Sequence, residues 1–391
     1  MIPWNALLQR LAEAPRDNGT AALHQAAAFL RQTLEGVGLE AELVAFTAQP
    51  YRLRLAGVIA LAGGLLYARA LLAGRNALAL AVAVLLPTLL LAQLEFGVPV
   101  FGWIGAQTQH HVRARRPVEA PSRRLLLTAH YDTKTDVLDH VERAPIDRLA
   151  VPVALLMVLA PAAGALAARS RKRGRFVAGI AGFAASVAAL YGLGMFIALS
   201  AGAFVPKRSP GALDDGGACA VLVRLAEVLT AMPAPERTQV EILLLSAEEV
   251  GVQGSEALAA HSFAAPPALP TFVVNLEGLG ASPDHAVLAR ERFTLRSLAP
   301  DARLVALLDA VHRELFEKPL PMTPYGGATD ARSFLARGIP AATLLSLEPG
   351  ERFPRGLHSA RDDRSRLDED SLEASVAYLL AIVKAVDERE L

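Results

Sequence analysis

Cysteine is nearly missing from this 391-residue chain, where Cys219 stands alone. A single cysteine excludes an internal disulfide framework and a cysteine-rich metal site, so any metal would have to be held by His, Asp and Glu. Charge imbalance is missing too. Lys and Arg number 39 and Asp and Glu 39, so no net field points toward nucleic acid. Charged residues make up only 20%, against 53% hydrophobic residues and a mean hydropathy of +0.33, which is unusual for a soluble enzyme. Met1 to Pro50 holds Arg10, Glu13, Arg16 and Asp17 but no early apolar segment, so no secretory signal is expected there. Internal repeats are absent, as are low-complexity segments apart from apolar runs.

Those runs hold the apolar excess: Leu55 to Ala73, Ala77 to Leu94, Leu149 to Ala168 and Phe176 to Val205. A hydrocarbon core of about 30 Å takes roughly 20 helical residues, so each run predicts a membrane-spanning helix. Arg69 near the end of the first can reach the interface, and Pro87 and Pro161 are tolerated in membrane helices. Gly74-Arg75-Asn76 joins the first pair. The second is joined by Arg169 to Arg175, five basic residues in seven. Tight joints predict two hairpins, 51–106 and 137–207, inserted into a polar chain made of 1–50, 107–136 and 208–391. Buried helices of a large soluble core are the alternative, but four such runs exceed what a soluble core presents. By the positive-inside rule the basic joint is cytoplasmic, against the counterweight of Arg52, Arg54, Arg148, Lys207 and Arg208 at the other ends. The expectation is an integral protein of a plasma or inner membrane, embedded in lipid, with its polar domain on the non-cytoplasmic side.

Without the hairpins an α/β pattern remains. Helices are predicted over Thr20–Val37, Gly217–Leu229, Leu304–Phe316 and Asp370–Val386. Strands are predicted over Glu40–Phe46, Gln107–Arg115, Arg124–Thr128, Gln239–Leu245, Thr271–Leu276 and Ala341–Leu347. The alternation argues for a mixed central β-sheet flanked by helices, an α/β fold carrying four inserted transmembrane helices. Polar residues recur just past strand ends: His130 and Asp132, Glu248 and Glu249, and Glu277. Open α/β sheets bind ligands at that edge.

Five short motifs gather the groups that suit a metal: AHYDT with His130 and Asp132, GALDDGG with Asp214 and Asp215, SAEEVG with Glu248 and Glu249, VNLEGLG with Glu277, and GLHSARDD with His358 and Asp362. Each alone is weak. His-x-Asp arises by chance, and an Asp-Asp or Glu-Glu pair is usually a solvated surface. Order and placement give them weight, because each follows an apolar approach or a glycine-rich turn. In that order they resemble the co-catalytic zinc aminopeptidases and glutamate carboxypeptidases, over about Arg123 to Asp363 with Val137 to Lys207 left out.

The resemblance implies a zinc-peptidase fold, two Zn2+ ions and a peptide substrate. It implies a zinc-dependent exopeptidase, an aminopeptidase first, that hydrolyses peptide bonds with a metal-bridging hydroxide. Residue by residue, it implies His130 with Glu249 on one zinc and Glu277 with His358 on the other. Asp214 would bridge them and be joined to Asp215 by a non-proline cis peptide. Glu248 would be general base and acid, and Asp132 and Asp362 would orient His130 and His358.

The chain departs from the family pattern in places. Glu277 stands where Asp is common, and Gly216-Gly217-Ala218-Cys219 replaces the usual Ser-Gly, leaving Cys219 as a packing residue. YGGATDARSF keeps Asp330 but has Ala331 where a His is usual, and Tyr325 and Gly326-Gly327 are pocket candidates. Two other readings share the scaffold: a glutaminyl-cyclase-like aminoacyltransferase, which typically uses one zinc, and a catalytically inactive receptor. A transporter is disfavoured because polar residues are scarce inside the spans. Arg332, Arg290 and Arg292 are available to a substrate carboxylate, so trimming of amino and of carboxy ends both stay open, as does the oligomeric state.

Overall fold

A computed structural model describes residues 2–98, 100–167, 174–292, 295, 297–324, 327–348 and 354–389. Helix α1 (Trp4–Leu11) buries Trp4, Leu7, Leu8 and Leu11 along one stripe. In α2 (Ala21–Gly36) the stripe is Leu23, Ala26, Ala27, Leu30 and Leu34, and the Thr20 side chain caps the helix by accepting from the Leu23 N–H. Strand β1 (Glu40–Ala48) leads into two apolar helices, α3 (Arg52–Leu72) and α4 (Asn76–Leu94). Strands β2 (Gln107–Arg115) and β3 (Arg123–His130) come before two more, α5 (His140–Ala167) and α6 (Gly174–Leu199). Then follow α7 (Gly217–Ala231), β4 (Thr238–Leu245), α8 (Gln253–Ser262) and β5 (Thr271–Glu277). Next come β6 (His285–Leu288), the two-residue strands β7 (Glu291–Arg292) and β8 (Ser297–Leu298), α9 (Ala302–Phe316) and β9 (Met322–Thr323). The chain closes with α10 (Ala331–Leu335), β10 (Ala341–Ser346) and α11 (Glu369–Glu388).

These elements form two compact units, Met1–Pro50 with Ala106–Thr135 and Lys207–Leu391, and Tyr51–Gly105 with Asp136–Pro206. The first unit holds an eight-stranded sheet in the order β1-β2-β4-β3-β5-β10-β6-β9. Its centre is parallel, from β4 through β3 and β5 to β10; β1 with β2, β2 with β4 and β6 with β10 pair antiparallel, and β6 pairs parallel with β9. The sheet is therefore mixed. Every residue of β4 is buried, because a central strand between two helical layers has no wet face. Period-two alternation sends Leu125, Leu127, Ile242, Leu244 and Val274 to one layer, against Val221, Leu222 and Leu225 of α7 and Leu379 and Ile382 of α11. Leu126, Leu243, Leu245 and Val273 face the other layer, against Leu258 of α8 and Phe334 of α10. This scaffold aligns the ends of β3, β4 and β5, pairing His130 with Leu245 and Glu277 with Leu345 in neighbouring strands. Short elements escaped the sequence reading. α1 spans eight residues and β7 and β8 two each, too short to display a period.

The second unit is four helices, each long and apolar enough to cross a membrane. α3 packs on α4 and α6, and α5 packs on α4 and α6. Leu85, Leu155, Leu159, Phe183 and Leu190 turn more than half of their surface outward, an apolar exterior suited to lipid. The α3–α6 contact is built on small residues. A Cβ on Gly64 would lie 2.6 Å from the Ala188 carbonyl oxygen, and one on Gly192 would lie 2.7 Å from that of Ala60. Close backbone approach of this kind holds helices together where water supplies no drive. Inside the bundle the Tyr67 hydroxyl donates to the Met157 carbonyl at 2.9 Å. α5 begins at His140, ahead of the predicted Leu149. The basic joint from Arg169 to Arg173 lies outside the described residues.

Candidate metal centre

Four segments converge at one edge of the sheet. His130 is the last residue of β3 and Glu277 the last of β5. Glu248 and Glu249 sit in the loop after β4, just beyond Ala247, whose φ is +64°. Asp214 lies in the irregular turn before α7, where the Asp214–Asp215 peptide is cis. His358 comes from the loop before α11, with φ at +57°. Non-glycine residues avoid positive φ, and Ala247 and His358 adopt it beside the very residues that face the centre.

The two oxygens of Asp214 point to different histidines. Oδ1 is 3.0 Å from Nε2 of His130, and Oδ2 is 3.0 Å from Nε2 of His358. Each histidine has a second carboxylate: Glu277 Oε1 lies 3.5 Å from His130, and Glu249 Oε2 lies 3.0 Å from His358. The direct contacts pair His130 with Glu277 and His358 with Glu249, where the resemblance implied His130 with Glu249 and Glu277 with His358. His130 goes with Glu277 because β3 and β5 are neighbours in the sheet. Glu249 sits on the far side of Asp214, where the loop before α11 delivers His358. Potential ligand atoms of His130, Asp214 and Glu277 all fall within 4.8 Å of one another, as do those of Asp214, Glu249 and His358 and those of His130, Glu248 and Glu249. Oε1 of Glu249 and Oε2 of Glu277 are buried without a hydrogen-bond partner among the described residues. Imidazoles, a shared carboxylate and partnerless buried oxygens together fit divalent zinc, which takes N and O ligands.

Behind these groups stands a layer of buried acids. Asp132 accepts from the backbone N–H of Glu248 at 3.2 Å and of Glu249 at 3.0 Å, and its carbonyl lies 3.1 Å from Nδ1 of His130. Asp215 accepts from the N–H of His130 and of Gly278. The carboxylate of Asp362 accepts from the N–H of Leu213 at 2.8 Å and of Asp214 at 3.2 Å, so it braces the Asp214 turn. Asp330 is 1% exposed, and both its oxygens lack a hydrogen-bond partner among the described residues. Tyr325 and Gly326 lie outside the described residues. Cys219 packs fully buried as expected, and its thiol also donates to the His130 carbonyl at 3.2 Å. The Gly-Gly of the turn reflects close approach: a Cβ on Gly216 would meet the Leu11 carbonyl oxygen at 2.1 Å. Sequence reasoning missed Arg16 and Asn18. Arg16 donates to the carbonyls of Tyr131, Pro210 and Gly211, and Asn18 donates to Asp132. Neither sits in a motif, since the partners that tie them to the centre lie more than a hundred residues away.

Burial opposes charge throughout this cluster. It pulls His130 down, but Asp132, Asp214 and Glu277 outweigh it and hold the ring well above its ordinary 6.5. It pushes Asp214 up, yet His130 and His358 keep that carboxylate well below its ordinary range. Burial drives Glu248 well above its ordinary range, opposed by His130 and reinforced by Glu277, Glu249 and Asp330. Burial also takes Glu277 to about 7, against the pull of His130. Carboxylates outnumber imidazoles here, so the cluster must collect either protons or cations.

Next to Asp214 and Glu277 opens a small cleft, lined also by Gly278, Leu345, Pro354 and Leu357. Among the described residues its walls beyond the two acids are apolar.

Residues 199–383 match the family described as Peptidase family M28. A mouse protein, endoplasmic reticulum metallopeptidase 1, is 28% identical over 181 residues, covering 45% of this chain and 19% of the mouse protein. The chain therefore spans about a fifth of the length of that curated relative. Among solved structures, a Zn-dependent exopeptidase from Parabacteroides distasonis superposes with a TM-score of 0.54 at 14% identity, covering 97% of this chain and 96% of that one. A glutaminyl cyclase from Fimbriiglobus ruber superposes with a TM-score of 0.56 at 15% identity, covering 98% and 92%. At such identities the likeness is one of fold.

Proposed function

We propose that this chain, whose residues 199–383 match Peptidase family M28, is a zinc-dependent metallopeptidase that removes residues from the amino end of peptides and holds two zinc ions. The observation that carries this reading is Asp214, whose two oxygens each lie 3.0 Å from a different histidine. His130, Asp214 and Glu277 would hold one ion, and Asp214, Glu249 and His358 the other. Zinc bound there would acidify a water molecule and polarise the scissile carbonyl.

Glu248 would take the proton of that water on its carboxylate and deliver it to the leaving amine nitrogen. Asp132 holds the Glu248–Glu249 backbone and, through its own carbonyl, the tilt of the His130 ring. The amino end is favoured by where the arginines go. Arg332 pairs with Glu256 at 3.3 Å, and Arg290 donates to Ser297 at 3.0 Å. The surplus of acids suits an ammonium group. The four apolar helices would seat the chain in a bilayer, with the basic joint from Arg169 to Arg175 cytoplasmic and the peptidase domain on the other side of a plasma or inner membrane.

The test is zinc content and aminoacyl-p-nitroanilide hydrolysis of detergent-purified wild type and Glu248→Gln. Two zinc ions per chain, with turnover lost only in the variant, are expected. One zinc with cyclisation of amino-terminal glutamine would favour the cyclase reading. A folded protein that takes up no zinc would overturn the proposal and favour a receptor.

A further inference from the structure

Asn18 lies far upstream of every metal-ligand candidate and outside residues 199–383, which match the peptidase family. Its segment is clasped to the loops that carry two of those candidates. The Arg16 guanidinium, buried at 2% exposure, donates to the Tyr131 carbonyl at 2.7 Å, next to His130. It also donates to the Pro210 and Gly211 carbonyls at 2.8 and 3.0 Å, just before the Asp214 turn. The backbone N–H of Arg16 donates to the Thr133 hydroxyl at 2.7 Å, and Thr133 N–H returns a bond to the Arg16 carbonyl at 3.2 Å. Asp17 accepts from the Thr133 hydroxyl at 3.1 Å and from Arg208 at 2.6 Å.

So anchored, Asn18 directs its amide at one target. Nδ2 donates to Oδ2 of Asp132 at 2.6 Å, the shortest hydrogen bond that this carboxylate accepts. Asp132 is fully buried; among the described residues its carboxylate also accepts from the N–H groups of Glu248 and Glu249, and its Oδ1 lies 3.6 Å from Nδ1 of His130. We infer that Asn18 is a positioning residue of the metal centre, acting through Asp132 on His130 and on the Glu248–Glu249 backbone. The inference rests on the reading of the centre as a zinc site. A neutral donor suits this place. It fixes the carboxylate without adding a positive charge that would compete with bound cations, and groups that orient ligands in this way tune metal affinity. Filling space alone would not call for a hydrogen bond to a buried carboxylate.

Two substitutions in the full-length, detergent-purified protein separate these roles. Asn18→Ala removes the donor. Asn18→Asp keeps the shape and places a second carboxylate against Asp132. Zinc affinity is read by competition with a chelator, alongside the melting temperature of zinc-free protein and the pH profile of kcat. Asn18→Ala is expected to bind zinc about 10- to 100-fold more weakly, with little change in zinc-free melting. Asn18→Asp, which sets a second carboxylate against Asp132 in place of the donor, should bind zinc at least as weakly as Asn18→Ala. Variants that bind zinc as wild type does would overturn the inference. So would a zinc loss no larger than the fall in zinc-free melting accounts for, with an unchanged pH profile. Wild type that binds no zinc would overturn the zinc reading itself, and the inference with it.

Discussion

Removing the carboxylates of Glu277 and Glu249 should empty different metal positions. His130 Nε2 faces Glu277 Oε1 at 3.5 Å, and His358 Nε2 faces Glu249 Oε2 at 3.0 Å. Changing either carboxylate to a carboxamide keeps the shape and subtracts one unit of charge. At about 4 Å and an effective dielectric near 20, two unit charges interact by about 4 kcal/mol. That is roughly a thousandfold in affinity, and a divalent ion feels the loss more strongly. Glu277→Gln and Glu249→Gln should therefore each retain one of two zinc ions after equilibration with a chelator, as counted by elemental analysis. Double variants test the pairing. Glu277→Gln with His130→Asn should lose no more zinc than either change alone, because both act on the same ion. Glu277→Gln with His358→Asn should lose both ions. Asp214→Asn should weaken both positions, since each of its oxygens faces a different histidine. If the His130 double variant emptied both positions and the His358 double variant kept one, the pairing drawn from the contacts would be wrong.

Glu248→Gln should lower kcat by about 10²- to 10⁴-fold with zinc content unchanged, and loss of zinc instead would make Glu248 a ligand. Away from the centre, burial pulls His285 down to about 3, so the folded protein keeps it neutral where the unfolded chain, near 6.5, takes a proton. Stability from this group is fully present above about pH 6.5 and falls by about 1.4 kcal/mol per pH unit as pH drops toward 3. His111, also pulled down to about 3 by burial, adds a similar slope. His285→Asn should shrink the stability difference between pH 6.5 and pH 5 by about 2 kcal/mol in denaturant unfolding, and an unchanged difference would refute the assignment. In the helical unit, Gly64→Leu should cost about 1–3 kcal/mol of stability in detergent by forcing α3 from α6. Gly179→Leu, where an added Cβ meets nothing within 4 Å, should cost little.

Much of this architecture is written locally. The four apolar helices are legible because a run of uncharged residues long enough to cross a bilayer has few other uses. The central strands are legible because β3, β4 and β5 are short apolar runs that stop at His, Ser and Glu. His130, Glu248, Glu249 and Glu277 stand out at those stops, where an α/β sheet exposes its edge. Asp214 and His358 stand out only by their order in a motif, since a glycine-rich turn and a late loop carry no period. The sequence by itself thus determined which residue types gather at the edge, and the chemistry they share.

Which histidine meets which carboxylate was decided by tertiary structure alone. That pairing depends on the order of β3 and β5 in the sheet and on a loop that returns from the far end of the chain. Asp362 braces the Asp214 turn, where the resemblance implied His358 as its partner. Arg16 and Asn18 carry no local signal at all, because the partners that tie them to the centre lie more than a hundred residues on. Hydrogen-bond partners are set by distances that only the folded chain defines, whereas burial and periodicity are set by neighbours along the chain.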